Sequence, residues 1–206
     1  MRALIVLTLV FLATVLADTA VFQPGSSVGC DAVCVMKFPD TNYGWNEDLL
    51  FGNSPAEDAN AWASFIRFTE LNDAQYQGAT VNTAFLYVYA YEVIGTGSYQ
   101  IGPCNSAWDE NTITWNTMPG VHESSPPTYP SGTGWIMYGV SGWVQNWLDG
   151  TWNNYGIAIF DNSNNAFVAL RSSDYSDSDV LPKLVLDYSP AVAFEALTWG
   201  AVKAVF

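Results

Sequence analysis

Histidine is nearly missing from this chain: His122 is the only one among 206 residues. A histidine-based zinc site cannot be assembled from it, and a Ser-His-Asp triad would have to hang on the proline-rich stretch around it. Basic residues are scarce too, with six Lys and Arg against 20 Asp and Glu and a net charge of −14. A field of that sign repels nucleic acid and anionic membrane, so nucleic acid is not expected as a partner, and a ligand should be neutral or cationic. No glycine-rich phosphate loop stands between a strand and a helix, which removes nucleotide chemistry. After residue 17 no apolar run is long enough to cross a bilayer, so no membrane insertion is expected beyond the leader.

The one long apolar run is at the start. Arg2 precedes Ala3 to Leu16, and Val15-Leu16-Ala17 has the form of a cleavage site. The run falls short of the roughly 20 residues a spanning helix needs. Residues 1–17 therefore read as a secretory signal peptide, and the mature protein as secreted or displayed at the extracellular surface. Only three cysteines follow, Cys30, Cys34 and Cys104. Export permits one bridge; Cys30 and Cys34 are too far apart along an extended segment to join each other, so Cys104 is expected to take one of them.

Short runs rich in β-branched and aromatic residues fill the rest: 33–38, 48–51, 64–68, 83–91, 99–101, 113–115, 135–140, 156–160, 167–170 and 183–188, separated by Gly, Pro, Asn and Asp. This spacing predicts an all-β antiparallel sandwich. In the run from Thr83 to Tyr91, Phe85, Tyr87, Tyr89 and Tyr91 alternate with Ala84, Leu86, Val88 and Ala90, so one face is aromatic, the other aliphatic, and both at least partly covered. The segment from Val144 to Trp147 predicts a single helical turn closed by Gly150. Pro119 to Gly134 reads as a surface loop. The sandwich domain is bounded at 18–189, and residues 190–206 form a small apolar tail, read as a sorting or docking peptide for cell-surface attachment.

Trp108-Asp-Glu-Asn-Thr-Ile-Thr-Trp-Asn-Thr-Met-Pro119 is the most specific local pattern. With Phe38-Pro-Asp-Thr-Asn-Tyr-Gly44, Val140-Ser-Gly-Trp-Val-Gln-Asn-Trp147, Arg171-Ser-Ser-Asp174 and Pro182-Lys-Leu-Val-Leu-Asp-Tyr188 it resembles the disaggregatase-related (DNRLRE) domain family, from about Cys30 to Tyr188. The family's six-letter string is absent, and the Asp expected before Val140 is Gly139. The resemblance implies a jelly-roll-like sandwich similar to carbohydrate-binding modules, non-catalytic, acting on an extracellular polysaccharide. A structural or adhesive surface module without a sugar site is the alternative; a small glycan-cleaving enzyme built on Asp109 and Glu110 is the third reading.

Sugar recognition in water uses exposed aromatic faces with polar groups fixing hydroxyls. Tyr43, Trp45, Trp62, Trp135, Trp152 and Tyr175, placed in loops, are the candidate ligand-binding residues. Trp108, Trp115, Trp143 and Trp147 are assigned to the core. Arg67, in mid-strand, is expected to need Glu110 as its acid partner. The acid-rich loops Asp40 to Asn42 and Asp174 to Asp179 offer oxygen donors of the kind calcium takes, and one structural calcium is the only cofactor expected, with Asp31 as its ligand.

Overall fold

The computed structural model describes residues 16–28, 30–53, 60–126, 128, 132–161 and 166–191. Residues 1–15 of the leader and the tail from residue 192 on, including Lys203, lie outside the described residues. Among these residues ten strands run in the order β1 (Asp18–Phe22), β2 (Asp31–Val35), β3 (Asp48–Asn53), β4 (Ala61–Ile66), β5 (Thr80–Gly95), β6 (Tyr99–Pro103), β7 (Gly134–Gly139), β8 (Ile157–Asp161), β9 (Ala166–Arg171) and β10 (Lys183–Ser189). Among the described residues there is one α-helix, α1 (Ser141–Leu148), which follows β7. Every strand pairing is antiparallel. The order across the sheet is β1-β10-β5-β9-β3-β4-β8-β6, with β7 on β5 and β2 on β4.

The all-β sandwich follows from how β5 is used. Ala84, Leu86, Val88 and Ala90 are fully buried while the alternate aromatics are half-buried, the period-2 pattern of a strand with one face in the core. Tyr87 pairs with Lys183 of β10 on one edge and with Met137 of β7 on the other. A register shift between Ala90 and Glu92 then carries the end of β5 onto β9. A bulge bends and twists its strand, so one curled sheet supplies both layers. The main core between them includes Leu49, Phe51, Leu86, Tyr99, Ile159, Leu170 and Leu184. A smaller core holds Cys30, Ala32, Cys34, Phe65, Cys104, Trp108 and Ile113.

Several expectations change. Nine of the ten runs are strands, but Ile113 to Trp115 is a turn: the Ile113 amide donates to the Asp109 carbonyl (2.8 Å) and the Thr114 amide to Thr117 Oγ1 (2.9 Å), local bonds that displace a ladder. β1 was not among the runs; it is an edge strand whose only buried side chain is Phe22, seated edge-on against Tyr76. The helical turn is two turns long, because Trp143, Val144, Trp147 and Leu148 form one buried stripe. Gly150, at φ +70°, follows it with its amide on the Trp147 carbonyl, as expected of a helix-closing glycine. The three cysteines are buried free thiols sharing the smaller core, so the expected bridge to Cys104 is not made.

Candidate functional site

Between α1 and the proline-rich loop lies a cleft of about 500 Å³, within the range of small-ligand sites. The loop is not free-running along this edge. His122 donates its amide to the Pro103 carbonyl (2.9 Å), Ser125 donates to Ile101 (2.8 Å), and the Ile101 amide donates to Ser125 Oγ (3.1 Å), so residues 121–125 track β6. Glu123 is thereby turned to α1, where its Oε1 accepts a 2.6 Å bond from Trp143 Nε1. On the opposite wall the helix ends and the chain turns back, the Trp152 amide donating to the Asn146 carbonyl (3.1 Å). The Trp152 ring is half-buried and stacked on His122, with centroids 4.5 Å apart and planes 3° from parallel. The cleft therefore combines indole surface from Trp143 and Trp152 with the oxygens and amides of Glu123, Ser124, Ser125 and Asn146. That is an apolar wall with several hydroxyl-matching groups and no paired carboxylates.

The six aromatics read from sequence do not form one site, and two of them are not in loops: Trp62 stands in β4 and Trp135 in β7. Trp152 lines the cleft. Trp135, 42% exposed, stands edge-on to Tyr87 and Tyr89 on the outer face of β5 and β7, with Lys183 Nζ 4.5 Å from its ring centre. Trp62 lies in a separate apolar groove of about 260 Å³, edge-on to Phe167 and opposite Trp115. Tyr43 and the largely exposed Trp45 adjoin each other. Tyr175 clamps Arg171 from one side while Tyr91 clamps it from the other, at 3.9 and 3.7 Å, and Arg171 pairs with Asp48 at 2.6 Å. Of the four tryptophans assigned to the core, Trp108, Trp143 and Trp147 are buried, whereas Trp115 is only half-buried at the groove. The signal that sequence reasoning missed at the cleft is Glu123, a lone acid in a loop whose role appears only when α1 is placed beside it.

A second cluster forms at the start of β2. Asn42 Nδ2 donates to the carbonyls of Glu110 (2.7 Å) and Ile113 (2.8 Å), and Gly44 packs so closely on the Glu110 backbone that a Cβ there would overlap its carbonyl. The segment after Trp108 is thus fixed against residues 42–44. Glu110 Oε1 accepts the Asp31 amide (3.0 Å), and Asp31 Oδ2 accepts the Ser173 amide (2.7 Å). Asp31 is 1% exposed. Burial pushes its carboxyl up to about 7; the Ser173 bonds oppose this, and the charges of Asp174 and Glu110 add to it. Burial raises Glu110 and Asp174 as well. Arg67 does not make the expected ion pair with Glu110. Its Nη1 donates to the Trp108 carbonyl and its Nη2 to Cys30 Sγ, both at 3.2 Å, and it stacks on Trp108, while Glu110 Oε1 accepts the Asp31 amide. The acids proposed as a catalytic pair diverge: Asp109 caps its own turn through Asn111 while Glu110 faces Asp31. Asp40 is spent on Asn116 and Asp177 caps a 3-10 turn, so from the two acid-rich loops Asp174 is the acid brought to Asp31.

Comparison with known proteins gives two results. The model of carbohydrate-binding module family 96 matches residues 30–188, the span over which the sequence motifs run. The tRNA3(Ser)-specific nuclease WapA of Bacillus spizizenii is 28% identical over 149 residues, covering 67% of this chain and 6% of that protein. The tRNA nuclease WapA of Bacillus subtilis is 27% identical over the same lengths. The chain spans about 6% of the length of these curated relatives.

Proposed function

Since the chain belongs to carbohydrate-binding module family 96, we propose that it is a secreted, non-catalytic module that binds an extracellular polysaccharide through the cleft between α1 and the proline-rich loop. The finer assignment to the disaggregatase-related type rests on the motifs from Phe38 to Tyr188 and belongs to the same proposal. The observation that carries the site is the cleft's composition: the indoles of Trp143 and Trp152 beside Glu123, Ser124, Ser125 and Asn146. Sugar rings present C–H faces to aromatics and hydroxyls to such donors and acceptors. The net charge of −14 supports a neutral or mixed glycan over a uniformly acidic one. The nuclease activity named for the WapA proteins is not carried over: the shared segment is a small part of them, and this charge opposes binding to tRNA.

The adhesive alternative draws on the same comparison, since a segment that recurs within very long proteins behaves as an accessory module. A glycan array separates the two. Binding to one class of glycan, lost in Trp152→Ala with the fold retained, supports the sugar cleft. A blank array, with the protein still coating cells, favours adhesion.

A further inference from the structure

The cleft between α1 and the proline-rich loop contains a carboxylate and no cationic side chain to neutralise it. Glu123 Oε1 accepts the Trp143 Nε1 hydrogen at 2.6 Å, which orients the group and leaves Oε2 outside that bond. Among the described residues no Lys or Arg lines the cleft. Arg67 is turned to Trp108 and Cys30, Arg171 is paired with Asp48 between two tyrosines, and Lys183 lies over Trp135 on the outer face of the sheet. The other polar side chains of the lining, Ser124, Ser125 and Asn146, are neutral. Trp152 completes the wall. His122, which does not line the cleft, is stacked on one face of that indole and leaves the other face for a ligand.

An oriented carboxylate beside indole surface discriminates among sugars by their substituents. A hydroxyl donates one neutral hydrogen bond to it. An ammonium offers three donors, makes the stronger charge-assisted bond, and is attracted to the electron-rich indole face as well. A sugar carboxylate in the same place meets Glu123 with like charge. The chain as a whole, at −14, raises the local concentration of cations and so favours the same choice. We propose that the cleft selects glycans that carry free amino groups, with the Glu123 carboxylate receiving the ammonium and Trp152 packing on the sugar ring that bears it. This inference rests on the reading of the cleft as a sugar site and specifies which sugars it takes. It also gives the Trp143–Glu123 bond a role in recognition, since that bond sets where the carboxylate points. An ion pair at an open cleft is screened by salt, so the preference is expected to fall with ionic strength.

The test compares three hexasaccharides of one linkage that differ only at the second ring carbon of each sugar: glucose with a hydroxyl, N-acetylglucosamine with an acetamide, and glucosamine with a free amine. Titration calorimetry is expected to show the amine form bound about tenfold more tightly than either neutral form. Raising sodium chloride from about 0.05 to about 0.5 M should weaken the amine form and leave the neutral forms unchanged. Glu123→Gln is expected to abolish the preference. Glu92→Gln, which removes the same charge from an exposed residue of β5 outside the cleft, is expected to retain it. Equal affinity for the three forms in the wild type overturns the inference and leaves the sugar cleft standing; this comparison does not depend on any variant folding. A preference undiminished in Glu123→Gln overturns it too, because attraction to the acidic chain as a whole would then be the cause. So does a hexalysine peptide that binds as tightly as the amine form, which would mark the cleft as a site for basic peptide. If none of the three binds, the inference falls, and the glycan array decides whether the sugar reading falls with it.

Discussion

The indole nitrogen of Trp143 donates a 2.6 Å hydrogen bond to the carboxylate of Glu123, joining α1 to a loop whose residues 121–125 run along β6. This bond fixes one wall of the cleft and uses one of the two carboxylate oxygens. Glu123→Gln retains an acceptor at reduced strength, whereas Glu123→Ala leaves the buried Trp143 Nε1 unpaired. The alanine variant is expected to lose about 1–2 kcal/mol of unfolding free energy in urea, and the glutamine variant about half of that. If glycan binding runs through this cleft, both variants weaken it at a temperature where both are folded, which affinity electrophoresis reads directly.

Gly44 is a packing requirement of a different kind. A Cβ at this position overlaps the Glu110 carbonyl carbon and oxygen, backbone atoms that cannot swing aside as the end of a side chain would. Gly44→Ala should cost about 2–3 kcal/mol. Gly142→Ala, where a Cβ meets nothing within 4 Å, is the matched control and should leave stability near wild type.

Arg171 lies between the rings of Tyr91 and Tyr175 and is paired with Asp48. Lysine preserves the charge but not the planar surface that stacks on two phenols. Arg171→Lys should therefore cost about 1 kcal/mol and Arg171→Ala about 2 kcal/mol. Equal losses in the two variants would mean that the rings contribute nothing beyond the ion pair.

The fold was legible because its signal is local. The alternation of Phe85, Tyr87 and Tyr89 with Leu86 and Val88 specifies a strand with one buried face, and Gly150 marks the end of a helix. β1 was illegible because Asp18, Thr19 and Val21 face solvent, leaving Phe22 alone to register burial. The candidate site was less legible. Asp31 could be selected as a metal ligand from its place at the start of a strand, but Glu110 and Asp174 reach it through the Asn42 and Ser173 contacts, which no spacing reveals. Tyr43, Trp62, Trp135 and Tyr175 were chosen for residue type and loop placement, and type alone does not say which side of a curled sheet each one meets.

The thiols offer a test of both burial and pairing. Desolvation pushes Cys34 and Cys104 from 9.0 up to about 12. At pH 8 the folded protein therefore presents almost no thiolate at either position, and a disulfide-exchange reagent should react far more slowly than with an unfolded thiol. In guanidinium, three thiols should react if all are free as observed, and only one if Cys104 is bridged to Cys30 or Cys34. The same shifts set an alkaline limit on stability. A thiol whose folded value is raised holds its proton more tightly folded than unfolded, so above pH 9 the unfolded chain binds fewer protons and unfolding is favoured. The contribution is intact below pH 9 and is lost progressively as pH rises towards 12. Cys34→Ala removes that thiol's share but also opens a cavity, so the informative measurement is the slope of unfolding free energy against pH from 9 to 11. It should be shallower in the variant than in the wild type even though the variant is less stable at every pH.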